Sequence, residues 1–405
     1  MSEESENRAE NEDISGSSGD STDAGDSDRL EEIEEHVEDI SGQEMSRLLG
    51  VMGKHDASDL HLKVGSPPIF RIHGKPRRLK GKKLSSEDVL AMIHSIMTER
   101  QKKLFAENKV HDFAYSEPEA GRFRVNAFYQ RGTPSVAARR VNTYIPTFEE
   151  LHLPAILKDV SQAESGLILV GGITGSGKST TLAAILDSVN KSRSCHILSI
   201  EDPIEYLFND EKAFVNQREV GIDVESFSSA LKYVVRQDPD VVLIGEMRDA
   251  ESFDTALMAA ETGHLVLGSI HSSGSPQTIG RVLDLFPADR HDAIRQLLRF
   301  NFVAIVCQKL LRGKHKEHPR VPCVEIMLAT PVVRKLIGEK EDIKLADTIQ
   351  AGREDGMQNF NTSLAGLLNK DLITKDVAFK ASPNPDALKM ELKGIRLDSD
   401  RKIIG

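Results

Sequence analysis

Cysteine is scarce in this chain of 405 residues. Cys195, Cys307 and Cys323 lie far apart, are odd in number and form no CxxC pair. Neither a disulfide framework nor a four-cysteine zinc module can be built from them. No apolar run approaches the roughly 18 residues that a membrane helix needs. The N-terminus is acidic, where a secretory leader would be basic and then apolar. No internal repeat is visible. These absences predict a reduced, cytosolic protein that meets a membrane only through partners.

Charge is plentiful but unevenly placed. The chain carries 63 acidic and 52 basic residues, a formal charge of −11. Residues 1–40 alone hold 16 acids against Arg8 and Arg29, so the remainder is close to neutral. That excludes an acidic scaffold or a nucleic-acid mimic as a description of the whole. Residues 1–43 read as an acidic disordered tail, because they offer too little apolar surface to offset the entropy of ordering. Solubilisation and partner binding both remain open for it. Residues 61–83 show the opposite bias, with eight Lys or Arg and no acid. Phe70 is the lone aromatic there, so a solvated hairpin or partner surface suits this stretch better than nucleic-acid binding.

Periodicity divides the rest. Residues 44–144 mix helical spacing (Leu48, Leu49, Met52; then Asp88 to Glu99) with alternating stretches at Leu60 to Val64, Ile69 to Ile72, Phe113 to Tyr115, Arg122 to Tyr129 and Ser135 to Val141. This predicts a small α+β domain. Residues 145–152, opening on Ile145-Pro146-Thr147, read as a joint. Wholly apolar runs then appear at Gly166 to Gly171, His196 to Ile200, Val241 to Ile244 and Leu265 to Ile270, with helical patterns between them. Strands covered on both faces have this composition, so residues 153–330 predict a parallel sheet in a βαβ architecture. Residues 331–405 read as helices, at Val332 to Ile337, Leu345 to Ala351, Thr362 to Leu368 and Lys375 to Lys380.

The sharpest motif is Gly172-Ile173-Thr174-Gly175-Ser176-Gly177-Lys178-Ser179, followed by Thr180. It is a GxxxxGK[ST] phosphate loop, set between an apolar strand and a helical pattern. Glycines let backbone N–H groups turn towards phosphates, and the helix N-terminus adds a favourable dipole. Lys178 is expected at the β- and γ-phosphates, and the Ser179 hydroxyl at Mg²⁺. ATP and Mg²⁺ are the implied ligands. Glu201 and Glu246 follow two of the apolar runs, at the carboxyl ends of strands, where sites in parallel sheets lie. An acid there can cap a helix, order Mg²⁺ through water or position attacking water. His264 and His271 bracket the last run, as structural hydrogen-bonders or as sensors of the γ-phosphate. Arg122 and Arg124 share one strand face, and Arg131, Arg139 and Arg140 follow; they form a solvated face or bring charge to phosphates.

Taken together, these motifs resemble the secretion and type IV pilus ATPases, over the run from about Met45 to Leu392, most of the chain. Ala57-Ser58-Asp59-Leu60-His61 matches the family's opening signature, and Arg122-Phe123-Arg124-Val125-Asn126 its arginine strand. Ile200-Glu201-Asp202-Pro203-Ile204-Glu205-Tyr206 looks like the Asp box. Arg236-Gln237-Asp238-Pro239-Asp240 through Asp249 looks like the Walker B region, and Thr262-Gly263-His264 through His271 like the His box. The missing cysteines and the segment from Gly356-Met357-Gln358-Asn359-Phe360 favour the pilus retraction branch over assembly and type II secretion motors.

The resemblance implies an α/β fold, a RecA-like P-loop ATPase domain preceded by a PAS-like domain and followed by C-terminal helices. It implies a homo-hexamer that hydrolyses ATP to retract a pilus, docked on an inner-membrane platform protein, with a second retraction ATPase as a further partner. Glu246 would be the Walker B glutamate and Glu201 the Asp-box glutamate, sharing water activation and Mg²⁺ ordering. Arg124, Arg131 and Arg139 would approach the nucleotide from the N-terminal domain, and Arg236 would sense a phosphate. One helix departs from the branch. Val332, Val333, Lys335 and Gly338 replace residues of its Ala-Ile-Arg-Asn-Leu-Ile-Arg-Glu pattern.

Overall fold

A computed structural model describes residues 45–394 except 56, 73 and 119. The expected acidic tail lies outside the described residues. The chain divides into two compact units, with the boundary between Arg140 and Val141.

The first unit opens on the helix Met45–Lys54 and builds a six-stranded sheet in the order β3-β2-β1-β6-β5-β4. The strands are β1 (Asp59–Lys63), β2 (Ile69–Ile72), β3 (Lys75–Arg78), β4 (Val110–Glu117), β5 (Gly121–Gln130) and β6 (Thr133–Arg140). All neighbours are antiparallel. Alternation sends Leu60, Leu62, Phe123 and Val125 into one core with Met45, Leu48 and Met52 of the first helix. The single helix expected from Asp88 to Glu99 is two, Ser86–Ser95 and Glu99–Asn108. Two reciprocal caps, Ser85 with Asp88 and Thr98 with Gln101, each start a helix where the apolar spacing alone showed one. The basic run contains β3, an edge strand in which Pro76 costs little because one side of the strand makes no ladder bonds.

The second unit holds a seven-stranded sheet in the order β13-β12-β7-β11-β10-β8-β9. Its strands are β7 (Gly166–Gly171), β8 (His196–Glu201), β9 (Phe214–Glu219), β10 (Val241–Ile244), β11 (Leu265–Ile270), β12 (Phe302–Arg312) and β13 (Arg320–Leu328). Every residue of β7, β8, β10 and β11 is buried. Leu167 and Leu169 point into one core and Ile168 and Val170 into another, so both sheet faces are covered. Only β13 is antiparallel to its neighbour. Helices Pro331–Gly338, Leu345–Ala351, Phe360–Asn369, Lys375–Ala381 and Pro385–Leu392 follow. Ile337, Ile349, Phe360 and Leu364 of these helices share a core with Phe302, Ile305 and Cys307 of β12. The fold class expected from the sequence stands: a RecA-like α/β domain with a small α+β unit before it and helices after it. Among the described residues, no helix is long and apolar enough to cross a membrane.

Candidate active site

The loop after β7 is shaped by its glycines. Gly172, Gly175 and Gly177 take φ values of +153°, +77° and +90°. A Cβ on Gly172 would stand 2.4 Å from Ser176 Oγ and 2.6 Å from the backbone oxygen of Gln308. The tight fold aims the N-terminus of the helix Lys178–Ser192 at the space above the sheet. Lys178 Nζ donates to the backbone oxygens of Gly172 (3.0 Å) and Ile173 (3.2 Å). Burial depresses the Lys178 ammonium below its ordinary pKa. Ser176 Oγ is buried with no hydrogen-bond partner, an atom left over for a ligand's oxygen. Gln308, missed in the sequence reading, braces the loop from β12. Its Nε2 donates to Ser176 O at 2.6 Å, and its Oε1 accepts from Thr181 Oγ1 at 2.7 Å. The signal was there: one amide directly after the apolar run Phe302 to Cys307 of β12.

Thr174, Lys178, Ser179, Glu201, Glu246 and His271 line one cleft of about 730 Å³. Parallel pairing brings Ile200 of β8 opposite Ile244 of β10, so both strands deliver their acids at the same end. The two carboxylates then meet different surroundings. Glu201 is buried, accepting from Ser199 Oγ at 2.6 Å and from Gln217 Nε2 at 3.1 Å. Burial outweighs those bonds and pushes its carboxyl above the usual range. Glu246 accepts from Arg248 Nη2 at 2.5 Å, and His271 Nε2 lies 2.8 Å from its other oxygen. The Arg248 hydrogen bond holds the Glu246 carboxyl below the usual range. Tyr206, also unforeseen as a site residue, places its hydroxyl 3.0 Å from Thr180 Oγ1 and ties the Asp-box loop to the helix after the phosphate loop.

Two expectations need correction. His264 precedes β11 at the amino end of the sheet, and its backbone oxygen accepts from Gly166 N at the start of β7. The phosphate loop leaves the other end of β7, a strand's length away. The His264 ring caps its preceding helix instead, with Nδ1 2.9 Å from Ala259 O. Arg236 sits in the turn Val235–Gln237, just before β10 and therefore also at the amino end. Its guanidinium lies over the Tyr233 ring, 5.9 Å from the centroid, and it does not line the cleft. Neither motif residue belongs to this chain's own phosphate pocket.

The arginines of the first unit make a pattern of their own. Register places Arg124, Arg139, Asp59 and Arg71 in one row across β5, β6, β1 and β2. Asp59 pairs with Arg139 at 2.7 Å and with Arg71 at 3.5 Å. Arg124 is exposed, and Arg131 occupies the tight β5–β6 turn at φ +48°.

The model for the family described as Type II/IV secretion system protein matches residues 137–366. A Pseudomonas aeruginosa protein described as Type IV pilus retractation ATPase PilT is 43% identical over 343 residues, which span 85% of this chain and 99% of that one. The chain belongs to the type II/IV secretion system family. A second family member from the same organism, described as Type IV pilus ATPase PilU, is 40% identical over 88% of this chain and 94% of its own. The crystal structure of the pilus retraction motor PilT with bound ADP superposes with a TM-score of 0.77, at 40% identity over 89% of this chain and 98% of that one. An ADP-binding relative of this likeness agrees with a cleft built around a phosphate loop.

Proposed function

We propose that this chain is an ATP-hydrolysing motor that retracts type IV pili. The near full-length likeness to the retraction ATPase carries the reading, and the cleft supports its chemistry. The loop N–H groups and the dipole of the helix Lys178–Ser192 cradle the phosphates, and Lys178 exchanges its two carbonyl partners for phosphate oxygens. The Ser179 hydroxyl and the Glu246 carboxylate are hard oxygen donors of the kind Mg²⁺ prefers, and they would hold it directly or through water. When bound, the ion supplies charge neutralisation on the β- and γ-phosphates. Glu201, with its raised affinity for a proton, suits acceptance of the proton of attacking water. Glu246 stays ionised beside Arg248, with His271 Nε2 2.8 Å from its other oxygen.

In the homo-hexameric ring that this reading includes, Arg124, Arg131 and Arg139 bring positive charge to the nucleotide. The ring works at the cytoplasmic face of the inner membrane on a pilus platform protein. A second retraction ATPase is a natural companion, as the likeness to both PilT and PilU suggests, with this chain the principal or the accessory motor of the pair.

Counting surface pili in cells lacking the gene tests the direction. Excess pili with lost twitching are expected; bald cells would make this an assembly motor. Slow turnover of the purified ring, restored by a second ATPase, would select the accessory variant.

A further inference from the structure

Glu201 is held by a residue from outside the recognised motifs. Gln217 lies on β9, the edge strand paired in parallel with β8, and register sets it opposite Ser199. Its amide is fully used. Nε2 donates to Glu201 Oε1 at 3.1 Å and to Tyr206 O at 2.9 Å, while Oε1 accepts from Phe208 N at 3.0 Å. One side chain therefore grips both the carboxylate and the backbone of the loop that follows it.

That loop is anchored on two further sides. Tyr206 reaches Thr180 on the helix after the phosphate loop. Leu207 N donates to Asn142 O at 2.8 Å, within a parallel bridge between Asn142 and Tyr206. Asn142 is the second residue after the first unit ends in the chain. We propose that Gln217 is a positioning residue that fixes the Glu201 carboxylate for hydrolysis and couples it to the 206–208 loop and its Asn142 bridge.

The physical reason is a count of donors. Without Gln217, the buried Glu201 retains the Ser199 hydroxyl as its side-chain donor. A buried carboxylate that loses one of its two side-chain donors, keeping the Ser199 hydroxyl and the Glu205 backbone, is held less firmly and is less stable as an anion. The same loss frees the backbone at Tyr206 and Phe208. The bond is made to Glu201 and not to the phosphate loop, so nucleotide binding should not need it.

The proposal rests on the reading of Glu201 as a hydrolytic group, and the test separates the two. In the full-length chain, Gln217→Met keeps the side-chain bulk and removes every polar atom. It should lower kcat roughly ten- to a hundredfold, the weight of a hydrogen bond to a charged group. KM and the affinity for a fluorescent ADP analogue should stay within about twofold, and Gln217→Glu, which keeps the shape but sets a second carboxylate against Glu201, should not restore turnover. Hydrogen exchange gives a readout apart from activity. ADP should change the protection of residues 204–210 in the wild type and leave it unchanged in Gln217→Met while still bound. If Glu201→Gln turns over normally, the reading of Glu201 fails. If Glu201→Gln is inactive but Gln217→Met has normal kcat, or keeps the wild-type exchange response, the positioning role is overturned. Equal losses in kcat and nucleotide affinity would also overturn it, by marking a merely structural residue.

Discussion

Gln308 Nε2 donates to the backbone oxygen of Ser176 at 2.6 Å, so a strand far along the chain fixes the bend of the phosphate loop. The amide is buried, and its oxygen takes the Thr181 hydroxyl. Gln308→Leu would strand both partners without water, at about 1–3 kcal/mol each. Nucleotide affinity should fall about tenfold or more, read by titration with a fluorescent ADP analogue. Wild-type affinity would show that the loop holds its shape unaided.

Lys178→Ala should abolish turnover and weaken nucleotide binding, because phosphate charge is left without its cation. The loop need not collapse, since the Lys178 bonds to Gly172 and Ile173 are contacts of one side-chain tip. Normal phosphate release by the purified variant would remove the cleft as the active site.

The two carboxylates should behave differently with pH. The Glu201 carboxyl is raised by burial, so it takes up a proton as pH falls before an ordinary glutamate near 4.3 does. Glu246 is held down by Arg248 and remains ionised further into acid. Turnover should therefore fail on the acid side at a pH above the usual glutamate range. Glu201→Gln and Glu246→Gln should each bind nucleotide and stop hydrolysis. An acid limb unmoved by Arg248→Ala assigns the limb to Glu201, and one that shifts upward assigns it to Glu246.

Glycines of one loop should differ in tolerance. Gly172→Ala sets a Cβ against Ser176 Oγ and Gln308 O and should disrupt the loop, with loss of binding. Gly175→Ala meets open space and bears only the left-handed backbone cost, about 1–2 kcal/mol. Thermal shift and nucleotide titration of the pair check the order. Equal effects would mean that conformation, and not contact, governs the loop.

Arg124→Ala tests the arginine row. Arg124 is exposed on β5, across from Arg139, which Asp59 already engages. If Arg124 meets a phosphate, its loss should slow hydrolysis by tenfold or more without unfolding the first unit. Unchanged turnover would return it to a solvated strand face.

Local pattern was enough for much of this protein. The apolar runs from Gly166 to Ile270 could only be strands buried on both faces, and the glycines with Lys178 and Ser179 could only be useful as a phosphate loop between a strand and a helix. Their order along the chain then places Glu201 and Glu246 at one end of the sheet. What the sequence could not weigh was anything carried by distant pairing. The pairing of β12 with β7 and the amides of Gln308 and Gln217 join distant parts of the chain, the two amides across 132 and 16 residues. Polar residues inside such strands have no spacing rule to announce them. Motif membership also misled, since His264 and Arg236 belong to recognisable motifs but enter their strands at the amino end, away from the cleft. Which end of a strand a residue occupies is set by chain direction in the sheet. The energy of a donor or an acid there depends on who else is buried beside it, and only the tertiary structure decides that.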